Sequence, residues 1–87
     1  MRRKTKPKPS PADIYAGNKL RIRRCLLGMS QQKLGQRCGV SFQQIQKYEN
    51  GKNRISAGRL YEFSIILDVP LDYFFWGYDK DEVAKGG

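Results

Sequence analysis

At 87 residues the chain is long enough for one hydrophobic core and too short for two, and with 39% hydrophobic residues that core needs no covalent staples. Seventeen Lys and Arg against eight Asp and Glu give a formal charge of +9, a balance that favours a polyanionic partner: DNA, RNA or an anionic membrane surface. There is no histidine, and two cysteines stand alone at Cys25 and Cys38, which excludes the usual zinc spacings and histidine-dependent catalysis and argues against a secreted disulfide framework.

The charge is unevenly placed. Residues 1–11 hold five basic residues and no acid, and read as an extended or disordered basic arm. That start runs into Lys6-Pro7-Lys8-Pro9-Ser10-Pro11 and not into an apolar run, so no signal peptide is expected. Residues 12–76 form the structured domain, and residues 77–87 a flexible polar tail. The longest apolar stretch, Phe63 to Trp76, is broken by Asp68, Pro70 and Asp72, so no membrane span is expected. Both cysteines then read as reduced, buried small hydrophobes in a cytoplasmic protein.

Within residues 12–76 the pattern is helical throughout, so the class is all-α. A first helix runs from about Asp13 to Leu27 with Ala16, Leu20 and Leu27 on one stripe, and Gly28 ends it. Ser30 caps a second helix, Gln31 to Cys38, terminated by Gly39. Ser41 caps a third. There Ser41-Phe42-Gln43-Gln44 fits a capping box, Val40 and Ile45 stand as a hydrophobic staple, and Asn50-Gly51 stops the helix. Ser56 caps a fourth helix through Leu67 that turns Leu60, Phe63, Ile66 and Leu67 inward. A fifth short helix follows Pro70 and is rich in aromatics.

Only Gly39-Val40-Ser41 separates the second and third helices, and a three-residue turn containing glycine fixes two short helices at a steep angle, the helix-turn-helix unit. Gly35 is small where the two helices approach, and Leu34, Cys38, Val40, Ile45 and Tyr48 are apolar where the unit faces a core. On a helical wheel Gln43, Gln46, Lys47 and Asn50 share the face opposite Ile45 and Tyr48. Amide and ammonium side chains there suit base edges in a major groove: Gln bonds adenine in a bidentate way and Lys donates to guanine. The plainer alternative is a solvated polar face. Phe42 either presses on a thymine methyl or folds back onto the second helix.

In the segments Gly28-Met29-Ser30-Gln31-Gln32-Lys33-Leu34-Gly35, Gly39-Val40-Ser41, Ile45-Gln46-Lys47-Tyr48-Glu49-Asn50-Gly51 and Leu67-Asp68-Val69-Pro70-Leu71-Asp72-Tyr73-Phe74 the chain resembles the Cro and lambda-type repressor helix-turn-helix proteins, the XRE family. The resemblance spans about residues 14 to 76 and implies a compact five-helix lambda-repressor-like DNA-binding domain, usually dimeric. It departs from the family at Lys33, where an acid is frequent, and at Asp68, where glycine is. Asp tolerates the left-handed conformation at some cost.

The resemblance also assigns sites. With base contacts expected at Phe42, Gln43, Gln46 and Lys47 from the reading of the third helix above, it puts phosphate contacts at Gln31, Lys52, Asn53 and Arg54, and Ser30, Lys33 and Asn50 are expected to join them. Arg24 and Glu49 are expected to pair in the interior, locking the first helix to the third; the alternative is two independent surface charges. Four consecutive aromatics cannot all face one core, so Tyr61, Leu71, Phe75 and Trp76 form a candidate dimer interface. The implied partner is double-stranded DNA with a palindromic operator, bound by a homodimer. The implied function is sequence-specific regulation of transcription, with repression the leading role. The chain is not expected to be an enzyme, to bind a metal or cofactor, or to take a small-molecule effector. A bridging adaptor with the same fold and a basic arm is the competing reading. The arm itself either tracks phosphates or serves as a nonspecific tether.

Overall fold

Four serines set the fold going. In the computed structural model, which describes residues 8–78, each α-helix begins one residue after a serine with extended backbone. The hydroxyl of that serine accepts the N–H three residues on: Ser10 from Asp13, Ser30 from Lys33, Ser41 from Gln44 and Ser56 from Arg59. Each bond satisfies one of the donors that a helix start leaves orphaned, a contribution of about 1 kcal/mol. The helices are α1 (Pro11–Leu26), α2 (Gln31–Cys38), α3 (Phe42–Glu49) and α4 (Ala57–Ile66), followed by a 3₁₀ turn at Leu71–Phe75. There is no strand among the described residues, so the architecture is all-helical, the fifth helix being a 3₁₀ turn.

The first helix starts two residues before the expected Asp13. Ser10 and Asp13 form a full capping box, with Pro11 at the first helical position where a missing N–H costs nothing. Its signal is present in Ser10-Pro11-Ala12-Asp13 but sits inside the Lys/Pro run that reads as arm. In α3 only half of the expected box forms: Ser41 accepts from Gln44, while the Gln44 side-chain amide donates to Asn53 Oδ1 at 3.2 Å. Leu27 is exposed, contrary to its place on the apolar stripe, since the buried face of α1 ends at Leu20 and its last turn carries no buried residue.

The core is Ala16 and Leu20 from α1, Leu34 from α2, Ile45 from α3, Phe63 from α4 with Leu67 after it, and Tyr73 and Phe74 from the 3₁₀ turn. Met29, Cys38, Val40, Tyr48, Ile55, Leu60, Ile66 and Val69 pack around it. Tyr48 meets Phe63 edge-on, with ring centroids 5.9 Å apart, a favoured aromatic geometry. Arg23 Nε donates to the carbonyl of Leu67 at 3.0 Å, closing the end of α4 just before Asp68, the one non-glycine residue of positive φ among those described (φ 57°). Gly77 and Tyr78, read from the sequence as the start of the tail, stay with the fold. The Tyr78 N–H bonds the Phe75 carbonyl at 2.9 Å, and its ring lies edge-on to Tyr15 at 5.2 Å. The rest of the expected arm and tail, residues 1–7 and 79–87, lies outside the described residues. No described helix is long and apolar enough to cross a membrane.

Candidate nucleic-acid interface

The angle between α2 and α3 is set by backbone contact. A Cβ on Gly35 would stand 2.5 Å from the Val40 carbonyl oxygen, so only glycine lets the turn close this tightly. Gly39 takes φ 77°, ψ 28°, a left-handed conformation that costs side-chain-bearing residues roughly 1–2 kcal/mol. Gly17 does the same service for α1: a Cβ there would run into the Tyr48 carbonyl, so α1 crosses α3 backbone to backbone. Sequence reasoning passed over Gly17, although a glycine inside an apolar helical stripe is a signal of close approach.

Held in this way, α3 divides cleanly. Ile45 and Glu49 are buried, while Phe42, Gln43, Gln46 and Lys47 are exposed and stand together on the outward side. Phe42 keeps 42% of its surface open. Asn50 caps the end of α3 and is exposed as well.

The phosphate candidates fall in two groups flanking α3. At the start of α2, Ser30 and Lys33 are exposed, and the Ser30 hydroxyl is engaged in capping. The first N–H groups of α2 have no helical carbonyl to bond, which suits an anion. Gln31 departs from the expectation in its side chain: Nε2 donates to Glu49 Oε1 at 3.0 Å, so that amide is turned inward. On the other flank, Lys52, Asn53 and Arg54 are exposed in the loop after α3. Arg54 Nε lies 3.4 Å from Asp13 Oδ2, which leans it toward α1.

Beneath both groups lies the ion pair. Arg24 Nε donates to Glu49 Oε2 at 2.6 Å and Nη2 to Oε1 at 3.0 Å, while Nη1 donates to the Met29 carbonyl at 2.7 Å. With the Glu49 side chain 1% exposed and that of Arg24 11%, the carboxylate is a buried charge whose oxygens are filled by Arg24 and Gln31. The hydrogen bonds that Arg24 donates to Glu49, more than the carboxylate's charge, raise its guanidinium above its ordinary range, against the opposing effect of burial. One carboxylate therefore joins α1, the start of α2 and the end of α3.

Tyr61 on α4, Leu71 and Phe75 on the 3₁₀ turn and Trp76 just after it are all exposed. Ile65, 63% exposed, stands one turn from Tyr61 on α4; sequence reasoning missed it because Ile65 neighbours the inward Phe63, Ile66 and Leu67. Cys25 is exposed rather than buried, since it lies on the outer side of α1; Cys38 is half-buried, and burial pushes its thiol up. Among the described residues no three His, Cys, Asp or Glu side chains gather as a metal site requires.

Against known proteins, the helix-turn-helix family model matches residues 20–74, more than half of the chain, from the second half of α1 to within the 3₁₀ turn. An HTH-type transcriptional regulator of Sinorhizobium medicae is 56% identical over 82 residues, covering 94% of this chain. The chain spans 56% of the length of that regulator. Among solved structures, the restriction-modification controller protein C.AhdI from Aeromonas hydrophila aligns with a TM-score of 0.67 at 24% identity, over 71% of this chain and 94% of its own. A hypothetical transcription factor, NHTF, from Neisseria aligns with a TM-score of 0.70 at 18% identity, over 98% and 95% of the two chains. At these identities the two structures speak to the fold alone.

Proposed function

The chain belongs to the helix-turn-helix family, and from that premise we propose that it regulates transcription by binding duplex DNA in a sequence-specific way, with α3 in the major groove. The observation that carries this reading is the division of α3: Phe42, Gln43, Gln46 and Lys47 exposed on one side, Ile45 and Glu49 buried on the other. The two amides and the ammonium meet base edges, and Phe42 packs on a thymine methyl. Ser30, the backbone at Gln31, Lys33, Asn50, Lys52, Asn53 and Arg54 grip phosphates on either side and set the register without reading sequence.

The protein acts as a homodimer through Tyr61, Leu71, Phe75 and Trp76, which places two copies of α3 about one helical turn, roughly 34 Å, apart on a palindromic operator. Repression in the cytoplasm follows as the role, by occupancy of the operator, without a small-molecule effector and without an enzymatic step. Support comes from the basic charge of +9 and from the relatives named as transcriptional regulators.

The test is selection of binders from a randomised duplex library at about 150 mM salt, where nonspecific binding is typically as weak as about 10⁻⁴–10⁻⁶ M. A palindromic motif in the enriched pool is expected. Salt-sensitive retention with no motif would favour the bridging adaptor instead.

A further inference from the structure

Beside the polar face of α3 lies an open cleft of about 510 Å³, shared by the loop after α3 and the first described residues of the chain. Its cations come from two segments far apart in sequence: Lys8 ahead of α1, and Lys52 and Arg54 in the loop. Gln44 and Tyr48 of α3 form one wall; each follows by one residue a member of the polar face, Gln43 and Lys47, so the cleft borders that face. None of the residues lining it is acidic.

The cleft is held from both sides. Gln44 Nε2 donates to Asn53 Oδ1, and Asn53 Nδ2 donates to the Lys52 carbonyl, each at 3.2 Å, which ties the loop to α3. Opposite, Asp13 Oδ2 accepts from the Ser10 N–H at 2.8 Å and from its hydroxyl at 3.1 Å, and lies 3.4 Å from Arg54 Nε. A single carboxylate thus fixes the start of α1 and leans Arg54 toward the mouth that Lys8 shares. Three cations against the one carboxylate of Asp13 leave the concavity net positive, which favours an entering anion.

We propose that this cleft seats a backbone phosphate of the duplex held by α3, with Lys8, Lys52 and Arg54 as its cations and Asp13 as the residue that positions Arg54. The proposal rests on the DNA-binding reading above and adds to it a contact from the segment ahead of α1. Lys8 is the last of the five basic residues in residues 1–11, so its seat brings that charge to the DNA backbone.

Each phosphate contact contributes about 0.9 to the slope of log K against log salt. The slope is read by fluorescence anisotropy of a labelled random-sequence duplex between 50 and 200 mM KCl, a range of roughly the span over which such contacts are lost. Lys8→Gln/Lys52→Gln/Arg54→Gln should flatten the slope by about one, the share of a single phosphate, and Lys8→Gln alone, which precedes the first helix and leaves the fold intact, by a measurable part of that. Arg21→Gln/Arg37→Gln, which removes two exposed cations outside the cleft, should leave the slope near the wild-type value. Asp13→Asn should flatten the slope by part of that unit although it removes a negative charge, and should have no further effect in an Arg54→Gln background. Equal slopes for wild type and the triple variant, or an equal loss in the control pair, would overturn the proposal while leaving DNA binding standing. Loss of the difference when chloride is replaced by inorganic phosphate at constant ionic strength would assign the cleft to a free anion and overturn it too. No binding of the duplex by the wild-type chain would remove the DNA reading and this proposal together.

Discussion

Arg24 and Glu49, twenty-five residues apart, face each other through two hydrogen bonds at 2.6 and 3.0 Å, with the carboxylate almost wholly removed from solvent. Removing one partner strands a charge that cannot be rehydrated, at a cost of about 3–5 kcal/mol. Arg24→Met should therefore unfold the protein at much lower denaturant, whereas Arg24→Met combined with Glu49→Leu should recover most of the loss. Urea titrations of the two variants and the wild type check this; a double variant no more stable than Arg24→Met would mean that the pair is not the source of the effect.

Gly35 and Gly58 make a matched pair of glycines in helices. Gly35→Ala pushes a methyl group against the Val40 carbonyl, forcing α2 and α3 apart at an expected cost of about 1–3 kcal/mol. Gly58 has open space where its Cβ would go, so Gly58→Ala should stabilise by about 0.5 kcal/mol through the unfolded chain. Melting temperatures moving in opposite directions are the expected result.

The two thiols should separate in their chemistry. Cys25 is exposed, while burial raises Cys38 above its ordinary value of 9.0, with the positive charge of Arg59 opposing that shift. A disulfide reagent at pH 8 should label Cys25 first and Cys38 slowly. Because the folded state favours the neutral Cys38 thiol, its contribution to stability is full below about pH 9 and is lost as the pH rises beyond it. Cys38→Ala should flatten the stability profile above pH 9 relative to the wild type.

On the operator returned by selection, Gln43→Ala and Lys47→Ala should each relax preference at one base position by about 1–3 kcal/mol, with the melting temperature unchanged. Lys52→Ala should weaken all sequences alike. Competition binding with single-base operator variants separates the two behaviours, and uniform loss in Gln43→Ala would move it from reading to positioning.

How much of this was legible in the sequence depended on whether the signal was local. The bounds of α2 could be read because Ser30 and Gly39 sit one residue outside it, where cap and left-handed turn chemistry demands them. The same capping logic failed at Ser10 only because the lysines and prolines before it suggested an arm. Periodicity placed Leu20, Leu34, Ile45 and Phe63 in the core, but it cannot tell how far a neighbouring element extends, so Leu27 was assigned a partner that the packing does not supply. The Gln31 side chain and the role of Gly17 depend on what α1 and α3 bring to them from a distance. No stretch of sequence shorter than the span from α1 through α3 contains that information.

The four serine caps have a further consequence, for time rather than for stability. Each helix carries its own start within the segment that forms it, so no α-helix waits on a distant segment to begin. Helical domains dominated by such local contacts fold in about microseconds to milliseconds. Protein synthesis, at about 5–20 residues per second, is far slower. Each helix therefore has time to start before the segments it will pack against have been made.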